Sequence, residues 1–289
     1  MEKYIFKYWV PLLNFKIDMS SQNKITLDED ALIRLTTSFE DERLATLYKE
    51  YFPRTIYSNY LLQIILRKET PEIEPGQFLT EAEEKIEKVI TIFRLFKDER
   101  IGFNLIIQPL SEEQKYGHTV RFRPHLRLWT SEKIPEIYTV ERSEIQSFIS
   151  FFKDFYKISF TEFNLTIEYF NKSYIEPYTP RDSFLDLMIA LENLFLKETH
   201  QELSYKLSMR MAYILGVDKK DRINIFNFIK DAYNLRSKIV HGEKSDKLDN
   251  QKLFELRKLA GKSIIYFLKN KNHWDSVKLD SLILEAKES

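Results

Sequence analysis

The feature that most constrains this chain is a change in the spacing of its apolar residues near position 140. Before it, short β-branched and aromatic runs mix with helical stretches; from about residue 141 onward, nearly every segment repeats its apolar residues with helical period. Strands bury every second residue and helices roughly every 3.6, so the two textures call for separately built cores. The pattern predicts an α+β amino-terminal domain over residues 1–140 and an all-α helical domain over 141–289. With 289 residues and 43% hydrophobic content, the chain can supply both cores.

In the first part, Tyr4 to Leu13 and residues 101–110 read as strands, and residues 80–97 read as an amphipathic helix. The most patterned strand covers residues 119–129, where Val120, Phe122, Leu126 and Leu128 alternate with Arg121, Arg123, His125 and Arg127. Two readings fit the second set. It is a phosphate-binding or nucleic-acid-sensing face, with Tyr116 and Trp129 available for stacking, or it is a solvated outer face. Pro124 marks an edge strand or a bulge.

In the second part, residues 143–156 and 161–174 read as helices. Thr179 followed by Pro180 then suits an N-cap and the first helical position. Four helices are expected at about 180–197, 201–215, 221–241 and 249–270, with a last amphipathic stretch at 280–287. On the first, apolar residues cover nearly the whole circumference and leave Asp186 and Asn193 as a solvent stripe.

Three charges fall inside the apolar arcs of successive helices: Glu192, Arg210 and Arg236. An unpaired buried charge costs several kcal/mol, so the simplest expectation is one cluster in which Glu192 bridges Arg210 or Arg236. Such a cluster either fixes helix packing or marks a functional site.

Composition excludes several classes. Lys plus Arg and Asp plus Glu each number 44, so no overall field draws the protein to a polyanion and any such site is local. No cysteine is present, which removes disulfides, thiolate nucleophiles and Cys-ligated zinc. Five scattered histidines point to no dedicated metal site, and no cofactor is expected. The first 18 residues carry Lys3, Lys7 and Lys16 without a small-residue cleavage site, and nowhere do 18 uncharged apolar residues run together. A soluble, cytoplasmic protein with no membrane partner is the expectation.

Arg236 and His241 form an R-x4-H pattern within Tyr233-Asn234-Leu235-Arg236-Ser237-Lys238-Ile239-Val240-His241-Gly242, at the end of the third helix. Together with the "ALENLF" run around Glu192 and the "LSMRMAYILG" run around Arg210, this context resembles the Apea-like HEPN family over roughly residues 177–270. The resemblance implies a HEPN-like helical bundle and a metal-independent endoribonuclease of toxin-like or anti-phage defence type. In such an enzyme the 2′-hydroxyl attacks the adjacent phosphodiester of RNA at a composite site of a homodimer. Residues 1–140 are then left as a sensor or target-recognition domain through which the protein would be triggered, with a neutralising or triggering partner left open.

Within that reading His241 and Arg236 are the catalytic pair. An imidazole titrates near neutrality and suits general acid–base work, and a guanidinium suits the charge that builds on a phosphate. Asn234 and Ser237 flank His241 on its side of the helix and read equally as phosphate or ribose contacts and as ordinary surface residues; many family members carry Asn or Asp where Ser237 stands. Tyr233 reads as a core aromatic. Residues five apart on a straight helix point about 140° from each other, so either the helix ends early or kinks, or a second chain completes the site. Two further readings remain open: a catalytically silent HEPN module that binds nucleotide or protein and dimerises, and a structural bundle in which His241 is only a helix cap.

Overall fold

The computed structural model describes residues 4–19, 23–51, 57–71, 74, 76–109, 118–122, 137–175, 179–197, 199–242, 248–273 and 275–285. The chain divides into two compact units, Met1–Lys157 and Ile158–Ser289.

The first unit runs β1 (Tyr4–Leu13), β2 (Phe15–Ile17), β3 (Lys24–Asp28), β4 (Ala31–Leu35), α1 (Ser38–Tyr51), β5 (Tyr57–Lys68), α2 (Leu79–Phe96), β6 (Leu105–Pro109), β7 (His118–Phe122), β8 (Tyr138–Val140) and α3 (Ile145–Tyr156). Six strands form an antiparallel sheet in the order β3-β4-β5-β1-β6-β7, and β2 pairs with β8 in parallel. The register sets Trp9 opposite Gln63 and Val10 opposite Leu62, so successive residues of β1 serve opposite faces. One face carries Leu13, Leu61, Leu105 and Ile107, which pack with Leu44 and Tyr48 of α1. On the other, Val10, Leu62 and Ile64 are fully buried and α2 packs against β5.

The division lies after α3, whereas the change in texture lies near residue 140. α3 has helical period, but it belongs to the first core: Phe148 and Phe152 pack edge-on against Phe93 of α2, with ring centroids 5.0 and 6.1 Å apart. Periodicity reports the element type, and packing decides the unit to which it belongs.

The second unit contains α4 (Asn164–Lys172), α5 (Pro180–Phe195), α6 (Leu203–Leu215), α7 (Lys219–Val240), α8 (Asn250–Lys269) and α9 (Ser276–Leu284). α5 is its central element and packs against α4, α6, α7 and α8, as expected of a helix apolar on nearly all sides. Phe184, Leu187, Met188, Leu191 and Phe195 are fully buried along it, each contributing about 1.5–3 kcal/mol by removal from water. Thr179 caps α5: its hydroxyl accepts from the Asp182 amide at 3.2 Å, the Asp182 carboxylate accepts from the Thr179 amide at 3.1 Å, and Pro180 follows at the first helical position.

The expected solvent stripe of α5 is instead covered by α4. Thr166 donates its hydroxyl proton to Asn193 Oδ1 at 2.7 Å. Burial pushes the Asp186 carboxyl up from 3.8 to about 6; Asp182 and Glu168 add to the rise, and Lys172 opposes it. Among the described residues, no helix is long and apolar enough to cross a membrane.

Candidate functional site

The buried stripe of α7 consists of Ile225, Ile229, Ala232, Leu235 and Ile239. Arg236 flanks this stripe, which directs it toward α5, where Glu192 flanks the buried Leu191. The two side chains form an ion pair, with Arg236 Nε 3.2 Å from Glu192 Oε1 and Nη2 donating to Oε2 at 3.3 Å. Both contacts are longer than the 2.7–2.9 Å or so of a strong charge-assisted bond, and Oε1 sits beside Nε without the alignment needed to accept from it. Burial accordingly raises the Glu192 carboxyl above its ordinary value despite the opposing charge of Arg236. The Tyr233 phenol is also pushed up, by burial first and by the Glu192 charge second. Tyr233 is half-buried, at the edge of this cluster and not in the core proper.

Arg210 does not join the cluster. Its side chain, 1% exposed, holds the carboxylate of Asp280 on α9 through Nε at 2.8 Å and Nη2 at 2.9 Å. Nη1 donates to the carbonyl of Phe195, the last residue of α5, and to Thr199 Oγ1 at 3.2 Å. The expectation of one shared cluster is corrected for a simple reason: α9 brings its own carboxylate to α6, and this carboxylate pairs with the arginine. Asp280 was not singled out from the sequence, since an aspartate in an amphipathic stretch carries no sign of a partner seventy positions earlier.

At its carboxyl end α7 finishes at Val240. His241 follows as the cap with φ −80° and ψ 7°, its amide donating to the carbonyls of Ser237 and Ile239. Gly242, at φ +84°, takes the left-handed conformation that closes the helix, and its amide donates to Ile239 O at 3.1 Å. His241 and Asn234 are exposed, and Ser237 is half-buried. Val240 is 55% exposed beside them, because the buried stripe ends at Ile239. The helix runs unbroken to Val240, and Arg236 turns toward Glu192 while His241 stays on the surface. A single copy directs the two side chains differently.

One residue of this region escaped the sequence reading. Arg181, exposed in the first turn of α5, donates from Nη2 to the carbonyl of Ile239 at 2.9 Å and so ties the start of α5 to the end of α7. Its only legible signal was its place directly after the Thr179-Pro180 cap.

In the first unit, Arg121 stands in β7 opposite Ile106 of β6. Arg123, His125 and Arg127 lie outside the described residues, as do Tyr116 and Trp129. Among the described residues, no group of three or more His, Cys, Asp or Glu side chains is gathered in a way that could hold a metal ion. No protein-family model, curated protein or solved structure matches the chain.

Proposed function

We propose that the second unit is a HEPN-type endoribonuclease that cleaves RNA at a site completed by two copies of the chain, with Arg236 and His241 as its catalytic residues. The observation that carries this reading is the contrast within one R-x4-H pattern: an arginine anchored by a half-buried carboxylate, and five positions later an exposed imidazole on a helix cap. In RNA cleavage the 2′-oxygen attacks phosphorus, its proton leaves to a base, and the departing 5′-oxygen takes a proton from an acid. The products are a 2′,3′-cyclic phosphate and a 5′-hydroxyl. An imidazole serves either proton step near neutral pH. The His241 of a second copy supplies the other, which accounts for the exposure of this residue.

Arg236 spends the Nε/Nη2 edge of its guanidinium on Glu192. The rest of the fork is left to meet the phosphate oxygens as charge develops on them. Glu192 thereby orients the guanidinium, and its raised carboxyl marks the desolvation of that pocket.

The test is incubation of the purified protein with RNA in the presence of a chelator, alongside His241→Ala and Arg236→Ala variants checked for folding. Cleavage leaving cyclic-phosphate ends, reduced about 10²–10⁴-fold in His241→Ala, supports the reading. Absence of cleavage across host transcripts and transfer RNAs turns the assignment to a catalytically silent module that binds nucleotide or protein.

A further inference from the structure

A phosphodiester placed beside His241 meets the carboxyl end of α7, where unpaired carbonyls concentrate about half a negative charge. A site in that place needs a compensating cation. Arg181 supplies one from a neighbouring helix: its Nη2 donates to Ile239 O at 2.9 Å, two residues before His241 in the chain. The Thr179–Asp182 capping interactions and Pro180 fix the backbone from which it reaches. The side chain is exposed, and a guanidinium that spends one N–H on a carbonyl keeps the rest of its fork for another acceptor. Lys238, also exposed in the last turn of α7, adds to the positive charge there.

We propose that Arg181 is a substrate-binding residue that neutralises the end of α7 and holds an RNA phosphate beside His241. The inference rests on the ribonuclease reading of Arg236 and His241. It separates charge from mere bracing: a glutamine at position 181 keeps a donor for the Ile239 carbonyl and loses the cation, whereas a lysine keeps both.

The experiment measures binding of a fluorescein-labelled, mixed-sequence single-stranded RNA oligonucleotide by the full chain carrying His241→Ala, so that the RNA stays intact. Arg181→Gln and Arg181→Lys are added in the same background and salt is varied. Arg181→Gln is expected to weaken binding about tenfold and to lower the slope of log affinity against log salt by about 0.7, the loss of one phosphate contact. Arg181→Lys is expected to keep the slope. With His241 intact, Arg181→Gln is expected to raise KM and leave kcat unchanged. Equal slopes in all three proteins overturn the proposal, and so does an equal loss in the lysine and glutamine variants, which would mark a bracing role. Cleavage by the wild type with Arg181→Gln unchanged sinks this inference and leaves the ribonuclease reading standing. RNA bound with an Arg181-dependent slope but never cleaved does the reverse. No RNA binding at all removes both.

Discussion

Glu192 and Arg236 face each other from α5 and α7 at 3.2 and 3.3 Å, and burial raises the carboxyl further than the guanidinium lowers it. The pair is therefore held together with its negative member under strain from desolvation. Removal of the arginine leaves that carboxylate without its nearest opposing charge.

Arg236→Ala is accordingly expected to lower stability by about 1–2 kcal/mol at neutral pH, discounted from the fully buried case because both side chains retain some exposure. Adding Glu192→Gln is expected to restore most of this loss in urea denaturation and, under the proposed ribonuclease reading, to restore no RNA cleavage. Acid has the same sign as the second mutation. A carboxyl raised in the folded state contributes stability that is complete below its ordinary 4.5 and is lost as pH rises through the folded value. The Arg236→Ala defect should therefore shrink as pH falls toward that point.

Asp186 gives a sharper pH window. Its carboxyl is raised to about 6 by burial against α4, from an ordinary 3.8. Its contribution is fully present below about 3.8 and disappears as pH climbs through about 6. Asp186→Asn, which carries no charge to desolvate, is expected to melt above wild type at pH 7 and to lose that advantage by pH 4; parallel melting curves across this range would refute the assignment.

The two ends of the Arg210–Asp280 bridge differ in exposure, 1% against 45%, so their truncations should differ in cost. Arg210→Ala removes the donor to the Phe195 carbonyl as well, and an effect of about 3–5 kcal/mol is expected. Asp280→Ala leaves an arginine that water reaches where the carboxylate was, and about 1–2 kcal/mol is expected. Chemical denaturation of both single variants and the double variant reads the coupling directly.

Two glycines at helix ends make a contrasting pair. At Gly242 an added Cβ meets nothing within 4 Å, but φ is +84°, so Gly242→Ala is expected to cost about 1–2 kcal/mol through backbone strain alone. At Gly216 the backbone is ordinary, but a Cβ would lie 2.7 Å from Ala212 O and closer still to Arg222 Cγ. Gly216→Ala is expected to cost up to about 3 kcal/mol by overpacking. Under the proposed ribonuclease reading only Gly242→Ala should also alter RNA cleavage, since it displaces the cap formed by His241.

The helices of the second unit were legible because each buries a continuous apolar stripe: α6, expected over 201–215, occupies Leu203–Leu215, and α7, expected over 221–241, occupies Lys219–Val240. β1 matched at Tyr4–Leu13 through its aromatic and β-branched content rather than a period, since Val10, Leu12 and Leu13 are all buried at its end. β5 was not singled out, since an apolar run such as Leu61-Leu62-Gln63-Ile64-Ile65-Leu66 has no clear period. α1 was missed because its core contribution rests on Leu44, Leu47 and Tyr48 amid polar residues. In the candidate site, periodicity found that Glu192, Arg210 and Arg236 needed partners but could not assign them. Partner choice depends on which helix docks where, and neither Asp280 nor Arg181 declares its contact in the local sequence. The same limit explains Asp186 and Asn193: a wheel orders the sides of a helix but does not say how many are covered.

The bridge from Arg210 to Asp280 also has a consequence during synthesis. α6 leaves the ribosome about seventy residues before the carboxylate that satisfies its buried guanidinium, and until then the charge must stay solvated or the bundle must stay loose. A nascent chain that stops short of α9, even one already containing Arg236 and His241, lacks the carboxylate that the Arg210 guanidinium holds. The charge buried in α6 thus waits for α7 and α8 to be made before α9 can satisfy it, which ties the order of packing in this unit to the order of synthesis.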